Sequence, residues 1–226
     1  MTGPTAPPAP PAPTGAAPAR RVRGVVFDLD GTLADSWSLH LRCLRRGVAA
    51  VGPDRPSGAR LAAAQRPTDL ETLAALVPAE LLAGAARAYD LALREELAGA
   101  ASPVPPMPGA RELVGLLRAE GLVLGICTGR SRAHARLLLD ACGLALDLTV
   151  AREDAARPKP AADGLLLALR RLGLAPEEAV YVGDSPADAR QGAAAGVAAT
   201  FVLGPPGPGR IAALNDLPAA LREARS

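Results

Sequence analysis

The sequence predicts an α/β fold: a parallel sheet with helices on both faces and a small α-helical insertion. Three observations predict it. Short apolar runs bounded by turn or polar residues alternate with longer stretches at helical spacing, reactive side chains follow the ends of those runs, and one interval between runs is far too long for a simple crossover.

Residues 1–19 are almost entirely Pro, Ala, Gly and Thr. That composition cannot bury enough side chain to offset the entropy of ordering, so a disordered tail is expected. From residue 20 onward strands are predicted at 22–27, 122–127, 146–150, 179–182 and 200–203, most of them reading as buried on both faces. Helices are predicted at 111–120, 132–142, 161–172 and 186–195. The long interval 37–106 is rich in Ala, Leu and Arg at helical spacing and holds no convincing strand, so it is expected to form a helical cap on a core made of 20–36 and 107–226. Pro103, Pro105, Pro106 and Pro108 before Gly109 cannot continue a helix, which suggests a hinge at the exit from the insertion.

Bulk properties narrow the function. A chain of 226 residues with 49% apolar types supports one good core, or a core plus a small inserted module. With 2% aromatic residues there is no set of exposed rings on which single-stranded bases could stack. Net charge is +2 with both signs interspersed, so no strong field steers polyanions and nucleic acid is not an expected partner. Cys43, Cys127 and Cys142 are isolated and odd in number, the pattern of reduced core thiols. No apolar run reaches the ~18 residues needed to span a bilayer, and the N-terminus lacks a basic region followed by an apolar stretch. The expectation is a cytoplasmic protein, monomer or homodimer, with a small-molecule partner and no membrane.

In an open parallel sheet, ligands bind outside the carboxyl ends of the strands. The first predicted strand runs into Asp28-Leu29-Asp30-Gly31-Thr32 and the second into Thr128-Gly129-Arg130. The third leads towards Arg157-Pro158-Lys159-Pro160, and the fourth into Gly183-Asp184-Ser185-Pro186-Ala187-Asp188. Several carboxylates in one crevice raise one another's pKa unless a cation lies between them, which points to a hard, oxygen-ligated ion such as magnesium.

In this order the four segments resemble the motifs of the haloacid dehalogenase-like superfamily, whose Rossmann-like core carries such a cap. The resemblance spans residues 22–217. It implies that Asp28 is a nucleophile forming an aspartyl-phosphate and Asp30 the general acid and base. Thr128 and Lys159 would hold the phosphoryl group and its charge. Gly31, Gly129 and Arg130 would border the phosphate, with Arg66 reaching over from the cap to select the leaving group. Asp28, Asp30, Asp184 and Asp188 make up the implied Mg2+ set. Asp188 is open between direct ligation and a supporting role towards Lys159 or a metal-bound water, with the supporting role preferred.

Taken singly, these residues have plainer readings. An Asp after a strand is often a helix N-cap, and a lone lysine is often a surface group. Only the joint pattern raises them. His40 and His134 read as solvated or capping histidines, Arg42, Arg45 and Arg46 as a solvated helix face, and Trp37 as core. Arg130 is open between substrate contact and capping of its strand.

Within that superfamily, an acid at position 30 argues against the enzymes that cleave carbon–halogen or carbon–phosphorus bonds. The segments Asp28 to Ser36 and Val182 to Arg190 look nearest to phosphoglycolate phosphatase-like hydrolases. The alternatives are a β-phosphoglucomutase-like transferase and a non-catalytic phospho-ligand-binding relative. Gln65 and Arg66 stand where many relatives have a Gly-containing turn, so substrate preference does not transfer. A nucleotide-dependent dehydrogenase predicts Gly-x-Gly-x-x-Gly after the first strand, and two aspartates stand there instead.

Overall fold

The computed structural model describes residues 21–98, 104–205 and 207–224. The expected tail at 1–19 and Pro103 of the expected hinge lie outside the described residues. Six parallel strands form one sheet in the order β3-β2-β1-β4-β5-β6: β1 Gly24–Phe27, β2 Val123–Cys127, β3 Leu148–Val150, β4 Ala179–Gly183, β5 Ala199–Leu203 and β6 Arg210–Ile211. Five are the strands that the apolar runs predict. The sixth is two residues long and pairs only with β5, too short for a periodic signal.

Helices α1 Trp37–Ala49, α2 Gly58–Ala63, α3 Asp69–Ala74 and α4 Leu82–Leu97 lie between β1 and β2. The rest follow the strands: α5 Ala110–Ala119, α6 Arg132–Cys142, α7 Asp163–Leu172, α8 Pro186–Ala195 and α9 Leu217–Ala224. Strand alternation sorts the two faces. Val25, Phe27, Leu124 and Ile126 point into one core with Leu113, Leu117 and Leu138 of α5 and α6, and that core continues into Leu39, Leu44, Tyr89 and Leu93 of the insertion. Val26, Cys127 and Tyr181 point the other way, against Leu165, Ala168 and Leu169 of α7. Burial on both faces explains why the strands read as unbroken apolar runs.

The two crossings between sheet and insertion run side by side. The Asp35 N–H donates to Pro105 O at 3.0 Å and the Met107 N–H to Leu33 O at 2.8 Å, so entry and exit form one hydrogen-bonded pair. Among the described residues, no helix is long and apolar enough to cross a membrane.

Candidate active site

The parallel register brings the reactive segments to one edge. Gly24–Phe27 pairs residue for residue with Val123–Ile126 on one side and Ala179–Val182 on the other. Asp28, Thr128 and Asp184 therefore leave three adjacent strands at the same end of the sheet. With Lys159 they line a cavity of about 350 Å³ roofed by Gln65, Arg66, Pro67 and Thr68 of the insertion. A larger cleft of about 600 Å³ lies along α8 and the β5–β6 edge, and no carboxylate lines it.

Lys159 is 9% exposed and its Nζ lies 2.7 Å from both Asp28 Oδ1 and Asp188 Oδ1. Burial opposes its charge, yet the two carboxylates outweigh that and hold its pKa above the ordinary lysine value. Asp28 behaves in the opposite sense. Burial, with the charges of Asp188, Asp184 and Asp30, outweighs Lys159 and pushes it up to about 8. Asp184 reaches solvent, but desolvation and the Asp188 charge push it up to about 6.

Carboxylate oxygens of Asp28, Asp184 and Asp188 all lie within 4.8 Å of one another. A pair of carboxyls that resist ionisation, in a hard oxygen donor set, fits a divalent cation such as magnesium. Gly31 takes a left-handed φ of 69°, and a Cβ there would collide with the Asp184 carboxylate, so this approach requires glycine.

Asp188 has both oxygens committed. Oδ1 accepts from Lys159 and from the Tyr181 hydroxyl at 2.8 Å, and Oδ2 accepts from the Ser185 N–H at 3.1 Å and its hydroxyl at 2.5 Å. Ser185 and Asp188 form the capping box of α8, which fixes the carboxylate. Burial would raise the Asp188 pKa, but Lys159 and these donors hold it below the ordinary value.

The Asp30 carboxylate is turned away from the other three. Arg130 holds it side-on, Nε to Oδ2 at 2.9 Å and Nη2 to Oδ1 at 2.8 Å, and the Ser36 hydroxyl donates to Oδ1. Burial opposes ionisation, but the Arg130 charge and these hydrogen bonds keep Asp30 below its ordinary pKa. The Thr128 hydroxyl accepts from the Arg130 N–H at 3.1 Å and faces the cavity. Gly129 packs against the Pro67 carbonyl so closely that no Cβ fits between them. Arg66 is exposed at the cavity wall, with its guanidinium donating to the carbonyls of Ala63 and Gln65.

Three expectations are corrected. Trp37 is not core: it is 46% exposed and lines the cavity, because it opens α1 at the rim where the chain leaves the sheet. His40 and His134 are buried rather than solvated. His40 bonds Tyr89 Oη at 2.8 Å and Gln65 Oε1 at 3.0 Å, and burial with the Arg130 charge lowers its pKa. His134 Nε2 lies 2.7 Å from Asp90 Oδ1. Asp69, Tyr89 and Tyr181 carry no motif. Thr68 with Glu71 has a helix-start spacing that marks Asp69 as the first residue of α3, but nothing in the sequence pairs it with Arg130.

Residues 22–196 match the model of a family described as haloacid dehalogenase-like hydrolase. The chain is 33% identical over 187 residues to phosphoglycolate phosphatase of Rhodospirillum rubrum, covering 77% of each. It is 35% identical over 185 residues to hexitol phosphatase A of Escherichia coli, covering 78% of this chain and 81% of that enzyme. The crystal structure of CbbY from Rhodobacter sphaeroides in complex with phosphate superposes with a TM-score of 0.76 at 25% identity, over 87% of this chain and 96% of that one.

Proposed function

Because the chain belongs to the haloacid dehalogenase-like hydrolase family and is a phosphatase resembling its phosphoglycolate phosphatases, we propose that it hydrolyses a small phosphate monoester through an aspartyl-phosphate on Asp28. The observation that carries this reading is the buried Lys159–Asp28 pair beside two further carboxylates at one end of the sheet.

Asp28 supplies the nucleophilic oxygen that bonds to phosphorus as the ester oxygen departs, splitting one hard displacement into two easier ones. Asp30 gives a proton to the departing alkoxide, then takes one from the water that cleaves the phosphoaspartate and frees phosphate. Arg130 keeps Asp30 ionised in the arrangement described above, the form that takes the proton from water, and the negative charge of an entering phosphate raises its pKa towards the protonated form that donates. Thr128 and the backbone around Gly129 hold phosphoryl oxygens, and Lys159 sets a fixed charge against the transition state.

Magnesium, if held by Asp28 and Asp184, would supply the positive charge that lets the carboxylates ionise together and offsets charge on the phosphoryl oxygens. Asp188, with both oxygens bonded, acts by fixing Lys159. Residues 37–106 act as the cap, with Arg66 and Trp37 at the leaving-group end, and the paired crossings serve as its hinge. Free, buried Cys43, Cys127 and Cys142, whose pKa values burial raises, suit a reducing, cytoplasmic setting.

The test is phosphate release with Mg2+ from a panel of sugar and polyol phosphates, nucleotides and short acid phosphates, including 2-phosphoglycolate, with Asp28→Asn in parallel. Release by the wild type and not by the variant is the expected result. Silence on every compound, with no phosphate-mimicking fluoride bound at Asp28, would sink the reading.

A further inference from the structure

Arg130 is committed on both sides of the boundary between sheet and insertion. Towards the core its Nε and Nη2 grip the two oxygens of Asp30. Towards the insertion its Nη1 donates to Asp69 Oδ1 at 2.8 Å and to the Tyr89 hydroxyl. The arginine side chain is 6% exposed and that of Asp69 18%, so both contacts sit largely out of water, where charge-assisted hydrogen bonds are strong.

The groups around the guanidinium are themselves tied. Tyr89 Oη bonds His40 Nδ1 at 2.8 Å, and Asp69 Oδ2 lies 3.5 Å from His134 Nδ1. One residue before Arg130, the Pro67 carbonyl sits on Gly129, which seats the segment carrying Asp69 directly on the arginine loop. A guanidinium is planar, with five donors in fixed directions. Fixing Nη1 against Asp69 and Tyr89 therefore sets the plane in which Nε and Nη2 present Asp30.

We propose that Asp69 of the insertion is a positioning residue for the proton transfers of Asp30, acting through the Arg130 guanidinium. The inference rests on the reading of Asp30 as acid and base given above. Its consequence is that proton transfer depends on the insertion being seated: only then do Asp69 and Tyr89 stand where Arg130 needs them.

The experiment uses the full chain with Mg2+ and two substrates. One is whichever alkyl phosphate of the panel the wild type turns over fastest, whose leaving alkoxide needs a proton. The other is 4-nitrophenyl phosphate, whose nitrophenolate departs without one, and its pre-steady-state release reads the first chemical step alone. Asp69→Ala is expected to lower kcat on the alkyl phosphate by roughly 10- to 100-fold with KM within about threefold, while nitrophenolate release slows by less than about threefold. Asp69→Asn, which keeps an oxygen for Arg130, is expected to recover most of the lost kcat. Should the alanine variant fail to fold by circular dichroism, Asp69→Glu, which displaces the carboxylate by one methylene, carries the same comparison. Equal losses on both substrates, a raised KM with unchanged kcat, or no change would overturn the inference. Asp28→Asn separates it from the reaction itself. If that variant still releases nitrophenolate, or the wild type turns over nothing, the proposed reaction fails and the inference with it. If it releases none while Asp69 variants slow both substrates alike, only the inference fails.

Discussion

The Lys159 ammonium lies 2.7 Å from the Asp28 carboxylate and is fixed there by Asp188, itself fully buried. The ammonium thus stands beside the carboxylate proposed to attack phosphorus, and the two carboxylates hold its pKa above the ordinary lysine value. Lys159→Ala is expected to lower kcat by at least ~100-fold, the scale of losing a preorganised charge from a dry site. Lys159→Arg is not expected to restore it, because a planar fork cannot reproduce two contacts made by a compact ammonium. Steady-state kinetics of both variants with Mg2+ check this, and an alanine variant near wild-type rate would remove Lys159 from the role.

Gly31 gives a second prediction, on the link from backbone to metal site. Its φ of 69° disfavours any side chain, and a Cβ would strike the Asp184 carboxylate. Gly31→Ala is expected to cost about 1–2 kcal/mol of stability through the left-handed backbone. It should also weaken Mg2+ binding by about tenfold or more through displacement of Asp184, the range seen when a ligand's support is lost. Thermal melts and calorimetric titration separate the two effects, and unchanged Mg2+ affinity would free Asp184 from the ligand set.

Gly129 tests the seating of the insertion. A Cβ there overlaps the Pro67 carbonyl, a backbone atom that cannot swing aside. Gly129→Ala is expected to push the 65–68 segment off the site, raising KM and lowering kcat together by about tenfold or more, as hinge and lid substitutions do. The Tm should move little, because the strained contact lies beyond the carboxyl end of β2 rather than in the core of the sheet. Kinetics and a melt on the same preparation decide it. A large fall in Tm with normal kinetics in the folded fraction would make Gly129 a packing residue.

The fold was legible because it rests on local patterns. Val25, Val26 and Phe27 form an unbroken apolar run only because the two faces of β1 pack against different layers, and the reactive residues follow the strands because the sheet is parallel. Asp28, Thr128, Lys159 and Asp184 could be singled out for the same reason. What could not be read is the partnership among side chains distant in sequence. Asp30 and Arg130 are 100 residues apart, and Asp69 and Arg130 61 apart, with no spacing rule to join them. The same limit misplaced the two histidines: a polar residue on a helix reads as solvated until the carboxylate or phenol that satisfies it is brought against it by the fold. Trp37 failed for a different reason, since a single aromatic at a helix start carries no periodic information about which side is open.

Two raised carboxyls yield the last prediction, in which protons and metal compete. A carboxyl whose folded pKa exceeds its ordinary 3.8 binds its proton more tightly in the fold, so its contribution to stability is complete below that value and is lost as pH rises through the folded pKa. For Asp184 that loss begins near 3.8 and is complete by about 6, and for Asp28 it continues to about 8. Asp30, Asp69 and Asp188 are depressed below 3.8, so they change only in acid. His40 is depressed below 6.5 and opposes the trend only below that value. Between roughly pH 7 and 8 the metal-free protein should therefore lose stability through Asp28 alone, and Mg2+, which needs ionised ligands, should recover it. The logarithm of the apparent Mg2+ affinity is expected to rise by about 0.5–1 per pH unit in that window, with protons released on binding. Calorimetry in two buffers of different ionisation enthalpy measures the released protons directly. Asp28→Asn should reduce both the slope and the release, whereas a pH-independent affinity in the wild type would mean that Lys159 already holds Asp28 ionised before any cation arrives.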